Sequence, residues 1–264
     1  MNTDSSGGTA RSALLKPSSL PLDGKTAFVT GASRGIGASV ARQMAQAGAD
    51  IAINYRSKAA RAQGVADEVI ALGRRALLLQ GDITSAADIR SSFDEIRLQW
   101  GKLDILVLNA SGGLEKDKEP GYAMRLNLTA QVELVKSALA CMTAGGAIVF
   151  VTSHLAHFYG SKPVYDSYEP IAASKKAGED ALRAMIPALT RAGLRLVVVS
   201  GDLIEGTITP RLLQRQSPGL IEARRREAGS LPDVEEFAAA IVRAAEDDSC
   251  ATGDTIYVGS TKWS

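Results

Sequence analysis

The sequence predicts an α/β fold, in which a doubly wound, seven-stranded parallel sheet carries helices on both faces. Short runs rich in Val, Ile and Leu alternate along the chain with longer segments whose apolar residues recur at helical spacing. The short runs are apolar at consecutive positions, as expected of strands buried on both faces, and strands joined by helices lie parallel. Because the composition shows no internal break, we expect residues 23–264 to form one domain.

The first four strands are each predicted from an apolar run that a helical segment follows. The run TAFVT precedes a helix whose end is marked by Gly48, because glycine readily adopts the left-handed conformation found after a helix. The runs IAINY, ALLLQ and DILVLNA repeat this arrangement. The predicted strands are 26–30, 51–55, 76–80 and 104–110, and the predicted helices are 39–48, 60–73, 87–101 and 123–142.

The remaining strands are predicted from AIVFVTS, LRLVVVS and TIYVG, at 147–153, 194–200 and 255–259. A helix that contains Lys175 lies between the fifth and sixth strands. The Arg-rich section 204–232 has no strand pattern and follows the sixth strand, at the edge where open α/β sheets bind ligands, so we expect it to form a substrate lid. Residues 1–22, rich in Ser, Gly, Thr and Pro, are expected to form a flexible tail.

The composition argues against several classes of function. Lys and Arg number 30 against 29 Asp and Glu, so the charge gives no reason to expect nucleic acid or an acidic membrane as partner. Cys141 and Cys250 are too few for a disulfide scaffold or a cysteine-based metal site, which fits a reducing compartment. No apolar run has the length of a membrane span or of a signal peptide core. We therefore expect a cytoplasmic protein.

A glycine-rich loop, TGASRGIG, joins the first strand to the first helix. Glycines in this turn let the backbone approach a pyrophosphate closely, and the N-terminus of the following helix faces that negative charge. In the first turn of an alternating strand and helix pattern, such a loop predicts a Rossmann-type dinucleotide site. The residues expected to contact the cofactor here are Gly31, Ser33, Arg34, Gly35, Ile36 and Gly37. The loop resembles the TGxxxGxG motif of the short-chain dehydrogenase/reductase family.

The end of the second strand distinguishes NADPH from NADH. NAD-binding sites usually place an acidic residue there, which holds the ribose 2′-hydroxyl. This chain has Asn54, Tyr55 and Arg56 instead, and a second guanidinium, that of Arg34, lies in the glycine loop. Two guanidinium groups suit a 2′-phosphate, to which they donate charge-assisted hydrogen bonds. The sequence therefore predicts NADPH (NADP+) as the cofactor.

Two further segments match cofactor contacts of the family by resemblance. Asp82 and Ile83, after the third strand, correspond to the acidic position that hydrogen-bonds the adenine amino group. Asn109, Ala110 and Ser111 stand in the place of the family's NNAG run. Because Asn109 ends a buried strand and needs a partner there, a purely structural role for it stays open.

Resemblance also assigns roles nearer the nicotinamide. Gly201 and Thr207 stand where the family has Pro-Gly and a threonine that contacts the nicotinamide amide, with Thr209 as the alternative threonine. Asn127 matches the fourth-helix asparagine that binds a water near the active site in this family. The alternative for Asn127 is an asparagine that caps a backbone kink.

The proton donor is the point at which this chain departs from the family. The string AASK ends at Lys175, but the tyrosine position of the Tyr-x-x-x-Lys motif holds Ile171, which cannot exchange a proton. Tyr168 lies seven residues before Lys175, on the same face of a helix, and this spacing resembles that of enoyl-acyl-carrier-protein reductases. We expect Tyr168 to protonate or stabilise the substrate oxyanion and Lys175 to hold the nicotinamide ribose and lower the pKa of the phenol. Ser153 is expected to donate a second hydrogen bond, and Tyr165 is the alternative acid.

Two other features have open interpretations. His154 and His157 lack nearby acidic or cysteine partners, so no metal site is predicted, and loop histidines are usually solvated. One of them could instead line the substrate pocket or relay a proton. The Arg-rich run 211–229 fits a solvated amphipathic helix better than a surface that meets a phosphopantetheine arm or an acidic carrier protein.

These observations and the resemblance predict an NADPH-dependent reductase. Its substrate would be a ketone or an α,β-unsaturated (enoyl) carbonyl, either free or bound to a carrier. Because Ile171 replaces the usual tyrosine, a catalytically impaired NADP(H)-binding homologue, acting as a sensor or an assembly partner, is the alternative. A lyase or isomerase on the same scaffold is a third possibility. The resemblance also implies a homotetramer or homodimer built largely on the fourth and fifth helices.

Overall fold

The computed structural model describes residues 20–113 and 119–262 of the chain. Most of the expected tail, residues 1–19, lies outside the described residues. The end of that tail is packed against the domain, because Leu22 is buried and its N–H donates to the carbonyl of Ala47. The domain packing therefore already includes Leu22.

The seven predicted strands form one parallel sheet, which confirms the predicted fold class. Their order across the sheet is β3-β2-β1-β4-β5-β6-β7. The strands are β1 (Thr26–Val29), β2 (Asp50–Tyr55), β3 (Ala76–Gln80), β4 (Leu103–Leu108), β5 (Met142–Ser153), β6 (Arg195–Gly201) and β7 (Thr255–Val258). The strand order reverses between β1 and β4, and in open α/β sheets ligands bind outside the carboxyl ends of the strands at such a point.

Helices connect the strands and cover both faces of the sheet. A π-helical turn at Arg125–Thr129 separates the fourth helix from the fifth, and a 3-10 turn at Asp166–Tyr168 precedes the seventh. The helices are α1 (Gly35–Gln46), α2 (Ala59–Ala71), α3 (Ala86–Trp100), α4 (Tyr122–Met124), α5 (Ala130–Ala138), α6 (His154–His157), α7 (Glu169–Ala184), α8 (Ile186–Arg191), α9 (Ile208–Gln216), α10 (Leu220–Ala228) and α11 (Val234–Glu246). No helix within the described ranges is both long and apolar enough to cross a membrane.

Two predicted boundaries are wrong. The first helix begins at Gly35 rather than at 39, because the end of the glycine loop already forms its first turn. The helix predicted at 123–142 ends at Ala138, and Met142 already pairs with Leu103 of β4. The N–H of Leu103 donates to the carbonyl of Cys141 at 3.0 Å. The run ALACM is apolar enough for either a helix or a buried strand, so its pattern alone could not place this boundary.

Apolar clusters on the two faces of the sheet hold the layers together. One cluster includes Met44 of α1 and Phe237 of α11, and the other includes Leu134 of α5 and Leu182 of α7. A third cluster lies at the carboxyl edge, where Ile171 at the start of α7 packs near residues of α6 and α9. The helix that carries Lys175 is therefore anchored at both of its ends.

Helix α7 crosses the π-helical turn at very short range. A Cβ placed on Gly178 of α7 would lie 1.9 Å from the carbonyl oxygen of Asn127. No side chain fits at that distance, so glycine is required for the two backbones to approach. This contact fixes α7 against the segment that carries Asn127.

Replacing Gly178 by alanine is expected to destabilise the protein by about 1–3 kcal/mol or more, because the methyl group must push two backbones apart. Gly64 of α2 provides a matched control, since a Cβ there would meet nothing within 4 Å. Gly64→Ala is expected to stabilise the protein by about 0.4–1 kcal/mol. Urea unfolding of the two variants measures both effects. Equal stability of the two variants would contradict the close crossing.

Candidate active site

A cavity of about 690 Å³ runs along the carboxyl edge of the sheet. This volume is typical of cofactor and ligand sites. Every site residue predicted from the sequence lines the cavity, with the exception of Asn127. The predicted residues at its edge are Gly31, Ser33, Arg34, Gly35, Ile36, Gly37, Asn54, Tyr55, Arg56, Asp82, Ile83, Asn109, Ala110, Ser111, Ser153, Tyr168, Lys175, Gly201 and Thr207.

The glycine loop forms a cradle that side chains would fill. A Cβ on Gly37 would lie 2.6 Å from the Asn109 amide nitrogen, and one on Gly31 would lie 3.1 Å from the Ala110 side chain. Gly31 and Gly35 both have positive φ, at 65° and 54°, which favours glycine. The N-cap residue of α1, Arg34, makes no side-chain capping bond. The N-terminus of α1 therefore faces the cavity with backbone donors, and the loop fits a pyrophosphate group.

The polar residues that end β2 and β4 hold the loops in place. Asn54 is buried, its side-chain oxygen accepts from the N–H of Gly31 at 3.1 Å, and its amide donates to the carbonyl of Gly81 at 3.1 Å. The amide of Asn109 donates to the carbonyl of Thr30 at 2.9 Å. Both amides are thus used by the scaffold, which agrees with the structural alternative for Asn109 and gives Asn54 an indirect role.

Basic residues collect at the β2 end of the cavity. Arg34 is exposed at its rim, and Lys58 and Arg61 also line this end. Arg56 donates to the hydroxyl of Tyr122 at 2.9 Å and lies 3.8 Å from the carboxylate of Asp82. Sequence reasoning missed Lys58 and Arg61, although their position just after β2 was the available signal.

Asn127 braces α7 and does not line the cavity. It is buried in the π-helical turn, and its amide donates to the carbonyl of Gly112 and to the hydroxyl of Ser174, each at 2.9 Å. Ser174 is the neighbour of Lys175 on α7. The geometry agrees with the alternative in which this asparagine supports a backbone irregularity.

Tyr168 and Ser153 meet at the carboxyl edge. Ser153 ends β5, and Tyr168 ends the 3-10 turn that leads into α7, so it lies immediately before the helix rather than within it. Their hydroxyl oxygens are 3.4 Å apart. Tyr168 and Lys175 are buried, with 4% and 7% of their surfaces exposed, and both line the cavity. Ile171, in the usual tyrosine position, is buried in the third apolar cluster.

Burial decides the charge states of this pair. Desolvation raises the pKa of the Tyr168 phenol, and the hydrogen bond with Ser153 only partly opposes it. Desolvation lowers the pKa of Lys175 to about 8, against the opposing charge of Glu179. The expectation of a lowered phenol pKa is therefore wrong for this structure, because loss of hydration outweighs the hydrogen bond with Ser153. A protonated Tyr168 is a hydrogen-bond donor at neutral pH.

Both histidines are held by partners rather than solvated, and His154 lines the cavity, in agreement with the alternative interpretation of one histidine. His154 is buried beside Ser200, with its Nδ1 atom 2.8 Å from the serine hydroxyl, and burial lowers its pKa to about 4. His157 lies 2.9 Å from the carboxylate of Glu179 and 2.9 Å from the hydroxyl of Tyr257. Glu179 is the acidic partner that the local sequence did not reveal, because it lies 22 residues further along the chain.

Helix α10, which lies within the expected lid, is tied to the end of β6. Arg224 of α10 is 5% exposed and makes two hydrogen bonds to the carboxylate of Asp202, at 2.9 and 2.7 Å. It also donates to Glu227 and to the carbonyls of Ser260 and Lys262. The interpretation of the 211–229 run as a solvated face is therefore wrong at Arg224.

The segment between β6 and α9 borders the nicotinamide end of the predicted site. A Cβ on Gly201 would lie 2.7 Å from the ring of Phe237, so the strand end and α11 pack closely. The hydroxyl of Thr207 donates to the carbonyl of Ile204 at 2.8 Å. Thr207 and the alternative, Thr209, both line the cavity.

Comparisons with known proteins agree with this geometry. A family described as short chain dehydrogenase matches residues 25–216. The chain is 33% identical over 208 residues to a hydroxynaphthalene reductase of Aspergillus fumigatus, which covers 76% of this chain and 74% of that protein. Other curated relatives match over a shorter span; a hydroxynaphthalene reductase-like protein of Metarhizium robertsii is 36% identical over 53% of this chain and 54% of its own length.

Solved structures show the same similarity over almost the whole chain. A short chain dehydrogenase from Burkholderia cenocepacia, in complex with NADP, superposes with a TM-score of 0.78 at 28% identity and covers 90% of this chain and 97% of that one. The angucycline C-6 ketoreductase LanV, with bound NADP, gives 0.74 at 28% identity and covers 91% and 96% of the two chains. Together with the matched family and the glycine cradle, these similarities show that the chain belongs to the short-chain dehydrogenase family.

Proposed function

We propose that this protein is an NADPH-dependent reductase of a small-molecule ketone, with Tyr168 as the proton donor. The observation that carries the proposal is the 3.4 Å approach of the Tyr168 and Ser153 hydroxyls inside the cavity that Lys175 also lines. Two hydroxyl groups at one point can hold a single substrate oxygen, which is the atom that gains charge when a carbonyl is reduced.

The cofactor proposal rests on the cradle and on the basic rim. The backbone of the glycine loop and the N-terminus of α1 would hold the pyrophosphate, and Arg34, with Lys58 and Arg61 near it, would hold a 2′-phosphate. The two structural relatives described above contain NADP. When bound, NADPH supplies hydride to the carbonyl carbon.

The residues of this chain then bind the substrate oxygen and supply its proton. Ser153 and Tyr168 donate hydrogen bonds to the substrate oxygen, and these bonds strengthen as negative charge develops there. The proton on the Tyr168 hydroxyl passes to that oxygen and leaves an alcohol. The ammonium group of Lys175 stabilises the phenolate that remains, until solvent restores the proton. Asn127 keeps α7, and therefore Lys175, in position through Ser174.

An enoyl carbonyl is the second candidate substrate. The Tyr-x6-Lys spacing favours it, because it resembles that of enoyl reductases, whereas the relatives named above are described as hydroxynaphthalene reductases and a ketoreductase. The test incubates the protein with NADPH and a panel of aliphatic ketones, aromatic ketones and enoyl thioesters. The loss of NADPH absorbance with each compound then shows which candidate substrate is reduced. We expect consumption with ketones. Binding of NADPH without consumption across the panel would favour the impaired homologue.

Replacing Arg34 by alanine is expected to weaken NADPH binding by about tenfold or more, because a charge-assisted hydrogen bond contributes about 1.5–3 kcal/mol. NADH lacks the 2′-phosphate, so its affinity should not change. Fluorescence titration with each cofactor measures the two affinities, and Arg90→Ala on the exposed surface of α3 provides the control. Equal losses for NADPH and NADH would contradict the assignment of Arg34.

The same proposal includes a wall over the substrate and an oligomeric state. Residues 204–232 would form the wall that covers the bound substrate, since α9 contributes residues to the cavity. The protein would assemble as a homodimer or homotetramer through the helices around α5 and α7. Light scattering coupled to size-exclusion chromatography measures the assembly, and a monomer at micromolar concentration would contradict it.

A further inference from the structure

The cavity contains a second phenol that the proposed mechanism does not use. Tyr165 lines the cavity three residues before Tyr168. The N–H of Tyr168 donates to the carbonyl of Tyr165 at 2.7 Å, so the 3-10 turn fixes the spacing of the two tyrosines. The Tyr168 hydroxyl meets Ser153, whereas the Tyr165 hydroxyl has no hydrogen-bond partner within residues 20–113 and 119–262. A partly buried donor of this kind is available to a ligand.

The cavity wall around Tyr165 is apolar. The buried ion pair beside it, Arg224 with Asp202, leaves no uncompensated charge on this wall. Tyr165 packs against the third apolar cluster, which includes Leu155 and Leu203. The neighbouring Arg224 uses all five of its N–H donors on Asp202, Glu227 and two backbone carbonyls. A substrate carboxylate or phosphate would therefore find no free donor on that guanidinium. Burial also raises the pKa of Tyr165, which keeps its hydroxyl protonated.

We propose that Tyr165 is a specificity-determining residue that binds a second oxygen of a neutral, ring-based ketone, while Tyr168 acts on the carbonyl that is reduced. This inference rests on the proposed function and names the substrate class within it. The apolar cluster receives the ring frame, and the phenol of Tyr165 exchanges a hydrogen bond with a hydroxyl or carbonyl group on it. An anionic group would gain no attraction from the buried guanidinium of Arg224, because Asp202 already neutralises it.

The test compares α-tetralones that carry one phenolic hydroxyl with size-matched methyl derivatives. Binding is measured by calorimetry on protein saturated with NADP+, and turnover is measured by NADPH oxidation. We expect at least one hydroxylated isomer to bind about threefold to tenfold more tightly than its methyl counterpart, as one neutral hydrogen bond allows. In Tyr165→Phe this preference should fall to about one.

Tyr159→Phe provides the matched control, since the Tyr159 hydroxyl bonds Glu169 away from the cavity, and it should keep the preference. Loss of the preference in Tyr165→Phe alone supports the inference even if no tetralone is turned over, in which case only the proposed function fails. The inference is overturned if the wild-type protein binds no tetralone or shows no preference for the hydroxylated isomers. It is also overturned if Tyr165→Phe keeps the preference, or if that variant loses kcat on every ketone, as a proton donor would.

Discussion

Replacing Tyr168 by phenylalanine is expected to lower kcat by about 10²- to 10⁴-fold, the usual contribution of a positioned general acid. The substitution removes one oxygen, whose hydrogen bond to Ser153 is long at 3.4 Å, so the fold should be little affected. NADPH affinity should also stay the same, because the glycine cradle and the basic rim lie elsewhere along the cavity. Steady-state NADPH oxidation gives kcat, and fluorescence titration gives the cofactor affinity.

Tyr165→Phe is the paired control for this prediction. Both tyrosines line the cavity, and burial raises the pKa of both, but only Tyr168 meets Ser153. We therefore expect Tyr165→Phe to change substrate selectivity and Tyr168→Phe to abolish most turnover. The opposite pattern, with turnover lost only in Tyr165→Phe, would transfer the role of proton donor to Tyr165.

Replacing Arg224 by methionine is expected to destabilise the protein by about 3–5 kcal/mol, because it leaves the carboxylate of Asp202 buried without its partner. Asp202 and Arg224 are 8% and 5% exposed, and their closest atoms are 2.7 Å apart. The same substitution releases the carbonyls of Ser260 and Lys262 from their donor. Equilibrium unfolding in urea gives the change in the free energy of unfolding.

The adjacent arginine is the matched control for that measurement. Arg225 pairs with Glu205 on the surface, with side chains 48% and 39% exposed, so Arg225→Met should cost less than about 1 kcal/mol. The double variant Asp202→Leu with Arg224→Met should recover part of the lost stability, since it removes the uncompensated charge. Equal, small effects of the two single arginine variants would show that the buried ion pair does not hold α10 in place.

The sheet could be predicted from the sequence because its signal is local. The run AIVFVTS is apolar at consecutive positions, and its residues 147–152 are all buried in β5. The glycine loop was equally informative, since its position after the first strand determines its geometry. The end of the helix at Ala138 was not predictable, because the pairing of Met142 with Leu103 is a tertiary contact.

Side-chain environments were harder to predict than the positions of helices and strands. Arg224, Arg225 and Arg226 are consecutive in the sequence, yet only the first turns inward to meet a carboxylate at the end of β6. Similarly, the burial of His154 depends on β6, which lies far away in the sequence. The substitution at Ile171 could be interpreted only once the structure had placed Tyr168 against Ser153. Long-range partners of this kind leave no pattern in a local stretch of sequence.

A crystal structure of the protein with NADP+ and a ketone or its alcohol product tests the central claim most directly. If Tyr168 is the proton donor, its hydroxyl should lie within hydrogen-bond distance of the substrate oxygen, beside the Ser153 hydroxyl and next to C4 of the nicotinamide. Tyr165 should then contact the far end of the substrate. A complex in which Tyr165, or no tyrosine at all, reaches the reacting oxygen would contradict this account of the chemistry.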